Sequence, residues 1–142
     1  MPFVQKPSKE QLQALLPDVL VSSGVVNVSL DDSQTAVEAD FLVSKANIQP
    51  HGILHGGVSC MVAETLGSIG ANLVLEDSKQ VAVGQSLHAS HIRPAAMGES
   101  LHAKTTPLHL GRKSHVWMTH ITDSKDRLIA QVSLTIAIVD KP

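Results

Sequence analysis

The spacing of hydrophobic and polar positions along the 142-residue chain changes period twice, and each change marks a change of secondary structure. Residues 25–30 and 35–43 read as strands, with Val37, Ala39, Phe41 and Val43 on one face of the second. The Asp31-Asp32-Ser33 cluster between them reads as a hairpin turn. Residues 46–54 carry Asn47, Pro50 and Gly52 and are expected to be loop. From His55 to about residue 75 the period becomes 3.6, with Val58, Met61, Val62, Thr65, Leu66, Ile69 and Leu73 recurring, which predicts one long, well-buried helix. After Asp77-Ser78 the period returns to two. Residues 80–93, 100–108, 114–122 and 127–139 are predicted as four strands, separated by residues 94–98, 109–113 and 123–126. The last alternates most cleanly, with Leu128, Ala130, Val132, Leu134, Ile136 and Ile138 on one side. Near the amino terminus, Ser8-Lys9-Glu10-Gln11 has the form of a capping box, and Leu12, Leu15 and Leu16 follow until Pro17. A short N-terminal helix packed as a lid is expected there, within a helical segment over residues 1–20.

Two strands, a long helix and then an antiparallel meander, without βαβ alternation, place the chain in the α+β class: one antiparallel sheet wrapped around one long helix. The length suits one domain over residues 1–142. Composition narrows the function. A formal charge of −2 gives no reason to expect a nucleic acid as partner, so any phosphate binding must be local. No apolar run reaches the roughly 18 residues of a membrane span, and the polar amino terminus does not resemble a secretory signal, so a cytoplasmic location away from membranes is expected. A single cysteine, Cys60, excludes an intrachain disulfide framework.

The chemistry concentrates where loop meets long helix. Gly56 and Gly57 at the helix start leave backbone N–H groups uncovered by side chains, at the positive end of the macrodipole, a place that can hold an oxyanion or simply permit a tight turn. Glu64 and Ser68, with Gly57, Cys60 and Ala71, trace a narrow second helix face opposite Val62, Leu66, Ile69 and Leu73. A carboxylate among small residues either lines a cavity or lies on a solvated edge. Eight residues at 1.5 Å each put Gly56 and Glu64 roughly 12 Å apart along one helix. They can meet at one carbonyl only if a second copy lays its helix antiparallel alongside, which predicts a dimer with two equivalent sites.

The stretch QPHGILHGGVSCMVAETLGS (residues 49–68) closely resembles the hotdog-fold acyl-CoA thioesterases of the hydroxybenzoyl-CoA and dihydroxynaphthoyl-CoA type, related to the phenylacetate-pathway enzymes. The similarity runs over about residues 24–139 and includes Val83-Gly84, His91-Ile92-Arg93, Pro107-Leu108-His109-Leu110-Gly111 and Val116-Trp117. The resemblance implies a hotdog fold and hydrolysis of an aromatic or medium acyl-CoA without metal or organic cofactor, coenzyme A being part of the substrate. In this reading the Gly56 N–H binds the thioester oxygen, and Gln49 and His55 orient that end of the substrate. Glu64 of the facing subunit attacks the carbonyl or activates water, and Ser68 positions the water. The resemblance also implies that Gly84, His91, Ile92, Arg93 and Pro94, together with the loop of His109, Leu110, Gly111, Arg112, Lys113 and Ser114, contact coenzyme A. It further implies a homotetramer built as a dimer of dimers. Two positions depart from the pattern: His51 stands where an aromatic residue is usual, and Ser90 where asparagine is common. Both bear on the acyl group. The alternatives on the same scaffold are a noncatalytic acyl-CoA-binding protein and an enoyl-CoA hydratase or dehydratase, the latter disfavoured by the Gln49 and Glu64 arrangement.

Other signals carry less. The eight histidines include an HxxxH spacing at His51 and His55, but Pro50 and Gly52 oppose a helix there, so no metal site is expected. Ser59 lacks the Gly-x-Ser-x-Gly frame of an α/β-hydrolase, Cys60 reads as a small buried hydrophobe, and Trp117 and Met118 read as core or interface residues.

Overall fold

The computed structural model describes residues 3–142; Met1 and Pro2 of the expected N-terminal segment lie outside them. The capping box forms: Ser8 Oγ accepts the Gln11 N–H at 3.1 Å and Gln11 Oε1 accepts the Ser8 N–H at 2.8 Å, starting α1 (Lys9–Ala14). Pro17 does end this helix, yet it also caps an unexpected second one, α2 (Asp18–Ser22), because the first turn of a helix tolerates a residue without an N–H.

The strands are β1 (Val26–Leu30), β2 (Val37–Leu42), β3 (Gln80–His91), β4 (Ser100–Leu110), β5 (Ser114–Asp123) and β6 (Leu128–Asp140). They form one antiparallel sheet in the order β1-β2-β4-β5-β6-β3, the hotdog arrangement with α3 (Gly56–Leu73) on its inner face. The expected four-strand meander is corrected by this order. Of those four strands only β4, β5 and β6 are sequential neighbours, and β3 pairs with β6 at the edge. The connection over residues 92–99 is a crossing, not a reversal. Its Ile92 and Arg93 N–H groups donate to the Ile129 carbonyl at 2.8 and 3.2 Å, and its Gly98 N–H donates to the Val43 carbonyl at 2.8 Å, so it is tied to β6 at one end and to the β2 side at the other.

Alternation decides the core. Val37, Ala39, Phe41 and Val43 point inward, as do Ala130, Val132, Leu134, Ile136 and Ile138 of β6, against Val58, Val62, Leu66, Ile69 and Leu73 of the helix. Each large apolar side chain buried this way contributes about 1.5–3 kcal/mol. Trp117, fully buried on β5, packs against Gly70, where the helix has no side chain. Ala71, expected on the Glu64 face, is fully buried, so that face is narrower than its spacing suggested. The chain start closes the far end of α3. Phe3 stacks on Trp117, ring centroids 6.3 Å apart, and the Val4 and Gln5 N–H groups both donate to the Leu73 carbonyl, at 3.0 and 3.1 Å. A carbonyl that would otherwise end the helix unpaired is thereby satisfied.

Candidate active site

The loop before α3 is shaped by its own backbone. Gln49 and Ile53 close a turn through Gln49 N–H to Ile53 carbonyl at 2.9 Å, with Gly52 at φ +81°, and the Gln49 side-chain oxygen accepts the His51 N–H. That leaves the Gln49 carboxamide nitrogen as a donor toward the adjoining cavity. His55 is the N-cap of α3, its Nδ1 accepting the Gly57 N–H at 2.8 Å. The sequence expectation of two open glycine amides is therefore corrected: an unforeseen imidazole cap uses the second. The Gly56 N–H makes no hydrogen bond among the described residues. Capping through Nδ1 also places the ring proton of neutral His55 on Nε2, making that atom a second donor.

Gly56 has a steric reason to be glycine, since a Cβ there would lie 2.8 Å from His91 Nε2. Gln49, Gly56, His91, Ile92, Arg93 and Pro94 line one cavity of about 320 Å³. Five of the residues assigned to coenzyme A or to the oxyanion end are thus brought together with Gln49 across three separate segments of chain.

Glu64 lies elsewhere. It is exposed on α3 and lines a second cavity of about 450 Å³ with Ser68, Thr65, Ile69, Leu15 and Gln5. Its carboxylate rests against β3 of its own chain: a Cβ on Gly84 would come within 2.5 Å of Glu64 Oε1. Gly84 thus touches the carboxylate directly. Asn72, two helical turns beyond Glu64, fixes this strand by mimicking a backbone partner. Its side chain accepts the Ala82 N–H at 3.0 Å and donates to the Ala82 carbonyl at 3.2 Å and to the Ser68 carbonyl at 2.8 Å. Sequence reasoning missed Asn72, Gln5 and Leu15; a polar residue eight positions after Glu64, on the same helix row, was the one available signal.

The hairpin between β4 and β5 joins neither cavity. Gly111 N–H bonds the Ser114 carbonyl at 2.9 Å, and Arg112 and Lys113 project into solvent. In register, His115 of β5, Ile136 of β6 and Gly84 of β3 form one row across the sheet, whereas His91 pairs with Ala130. From Gly84 to His91 along β3 is roughly 20 Å. The residues assigned to coenzyme A therefore occupy two ends of one sheet, the hairpin at the Glu64 end and His91 to Pro94 at the Gly56 end.

Several ionisable groups are tuned without joining these cavities. Burial holds the His115 imidazole below its usual range, with nearby His109 adding to the effect. Burial, with the Glu64 charge beside it, pushes the Cys60 thiol up, away from nucleophilic character. Burial opposes a charge on His102, but hydrogen bonds to Asp40 at 2.7 Å and Glu38 at 3.3 Å outweigh it and raise that imidazole. Among the described residues, no three His, Cys, Asp or Glu side chains converge as a metal ion would require, and no helix is long and apolar enough to cross a membrane.

The sequence profile of the thioesterase superfamily matches residues 51–130. The 1,4-dihydroxy-2-naphthoyl-CoA hydrolase of Escherichia coli is 40% identical over 103 residues, covering 72% of this chain and 74% of that protein. The crystal structure of a Haemophilus influenzae thioesterase superposes with a TM-score of 0.88 at 30% identity, covering 99% of this chain and 96% of the other. A mutant thioesterase from Pseudomonas aeruginosa superposes with a TM-score of 0.87 at 30% identity, covering 99% and 100%.

Proposed function

Because the chain belongs to the thioesterase superfamily and is an acyl-CoA thioester hydrolase, we propose that it cleaves an aromatic or medium-length acyl-CoA at a site shared by two subunits, where Glu64 of one chain faces the Gly56 amide of the other. One observation carries this reading: a single chain has an open helix-start amide in one cavity and a carboxylate in another, with neither cavity holding both. Two antiparallel copies of α3 would superpose the two halves twice over. The substrate named by the Escherichia coli relative, an aromatic acyl-CoA, supports the aromatic option.

In the proposed reaction the thioester oxygen is held by the Gly56 N–H, with the Gln49 carboxamide nitrogen and His55 Nε2–H as further donors. As the carbonyl carbon becomes tetrahedral, negative charge grows on that oxygen, and one preorganised donor is worth about 3–4 kcal/mol at that stage. Glu64 either adds to the carbonyl carbon, giving an anhydride that water cleaves, or takes a proton from a water held by Ser68. Both routes release the coenzyme A thiol and the free acid. Arg93, Arg112 and Lys113 supply cations for the nucleotide phosphates. We place the enzyme in the cytoplasm as a dimer of dimers, with no metal or organic cofactor in any step.

Glu64→Ala is the direct test. Hydrolysis of a panel of aromatic and straight-chain acyl-CoAs, followed by thiol release, should fall about a hundredfold to ten-thousandfold while coenzyme A still binds. Turnover equal to the parent's would remove Glu64 from the reaction. A parent that binds acyl-CoA and hydrolyses none of the panel would favour a noncatalytic acyl-CoA-binding protein.

A further inference from the structure

The cavity beside Glu64 extends well past the groups that the reaction uses. It runs along α3 from Glu64 past Ser68 and Ile69 toward the last helical turn, a distance of roughly 12 Å over eight residues. Its far wall comes from the chain start: Gln5, and Leu15 from the C-cap of α1. Neither is buried by the rest of the chain; Leu15 is 55% exposed, a large apolar side chain with little packed over it. The wall is nonetheless firmly placed. Gln5 N–H is bonded to the Leu73 carbonyl at 3.1 Å, and two residues earlier Phe3 is locked against Trp117. The Gln5 carboxamide is underused: its nitrogen reaches the Asn72 carbonyl only at 3.4 Å, and its oxygen accepts no hydrogen bond among the described residues.

We infer that this N-terminal wall is a length ruler for the acyl group, with Leu15 setting where the chain stops and Gln5 penalising any chain that passes it. The inference rests on the proposed function, which puts the thioester carbon at Glu64. From there an acyl group extending along α3 gains by covering Ile69 until its end meets Leu15 and the Gln5 amide beside it. A longer apolar chain strips water from an amide oxygen that has no other partner and gives nothing back. An unsatisfied buried acceptor of this kind costs enough to lower kcat/KM about tenfold or more. The selected substrates are thus acyl-CoAs whose acyl group ends short of the Gln5 amide.

The test is a kcat/KM profile over saturated acyl-CoAs from butyryl to palmitoyl for the parent, Gln5→Leu and Leu15→Ala. Both positions are exposed, so neither substitution threatens the fold. The parent profile should drop beyond a limiting length. Gln5→Leu, which keeps the bulk of the side chain and removes its amide, should raise kcat/KM for the first chains beyond that limit about tenfold relative to those below it. Leu15→Ala should move the limit to longer chains by opening space. A parent profile with no drop, or variants that admit no chain the parent rejects, overturns the ruler. Glu64→Ala in the same assay separates the two failures. If it abolishes hydrolysis while the Gln5 and Leu15 variants keep the parent's limit, only the ruler is lost; if it hydrolyses every chain as the parent does, the underlying reading is lost as well.

Discussion

A carboxylate on an exposed helix face is held in place by what the neighbouring strand lacks. Glu64 Oε1 occupies the space that a side chain at Gly84 would fill, and the bulge between Gly84 and Ser86 turns the strand at that point. Gly84→Ala should separate positioning from stability. The new Cβ would sit 2.5 Å from the carboxylate oxygen, but the atom it meets is the end of a flexible side chain, which swings aside at little energetic cost. Alanine in place of a strand glycine is itself favourable by about 0.5–1 kcal/mol. The expected result is an unchanged or slightly higher melting temperature with kcat reduced about a hundredfold, since a displacement near 1 Å of a reacting group costs on that order. Thermal melting and kcat measured on one preparation check it, and unimpaired kcat would show that Gly84 does not set the carboxylate's position. The sequence contained this glycine within a resembling segment, yet nothing in its spacing indicated that its partner is Glu64. The contact exists because Asn72 ties Ala82 to the helix, and that pairing joins residues ten positions apart through a turn.

Among the elements, α3 matters most, and its two ends are finished by opposite means. The amino end is capped by an imidazole that consumes one amide and leaves its neighbour open; the carboxyl end is closed by backbone donors from the chain start. The helix itself was legible because its apolar period is long and unbroken, and β6 was legible because its alternation is clean. The closure by Phe3, Val4 and Gln5 was not, because two adjacent apolar residues, Phe3 and Val4, carry no period, and the partner Trp117 is distant in sequence. Strand order was likewise hidden: local alternation names strands but says nothing of which edge a crossing such as residues 92–99 delivers them to. Phe3→Ala tests the closure. Removing a buried, stacked ring should cost about 3–5 kcal/mol in chemical denaturation. Amide exchange should accelerate most in the last turn of α3. Uniform acceleration over the helix would mean that Phe3 stabilises the core without holding that end.

At the scale of the whole molecule, the chain carries two separate cavities, which the proposed reaction takes as the two halves of a shared site. The Gly56 end has the open amide, Gln49 and Arg93; the Glu64 end has the carboxylate, Ser68 and, in register across the sheet, the cationic hairpin. This division was partly legible, because helix rise alone forbids Gly56 and Glu64 from sharing a carbonyl within one chain. What helix rise cannot supply is the partner's placement, and subunit complementation addresses it without a structure of the assembly. One inactive chain carries Glu64→Ala, and a second carries Gln49→Ala with Gly56→Val. Each homodimer lacks one half of both its sites. A mixed dimer joins the intact Gly56 end of the first chain to the intact Glu64 end of the second, restoring one site of two. With free exchange, half the dimers are mixed, so the mixture should recover about a quarter of parental kcat per subunit, from two preparations that are each nearly inactive. Recovery must depend on subunit exchange and be lost when the two proteins are combined under conditions that prevent it. Had each site been built within a single chain, no proportion of the two variants would regain activity.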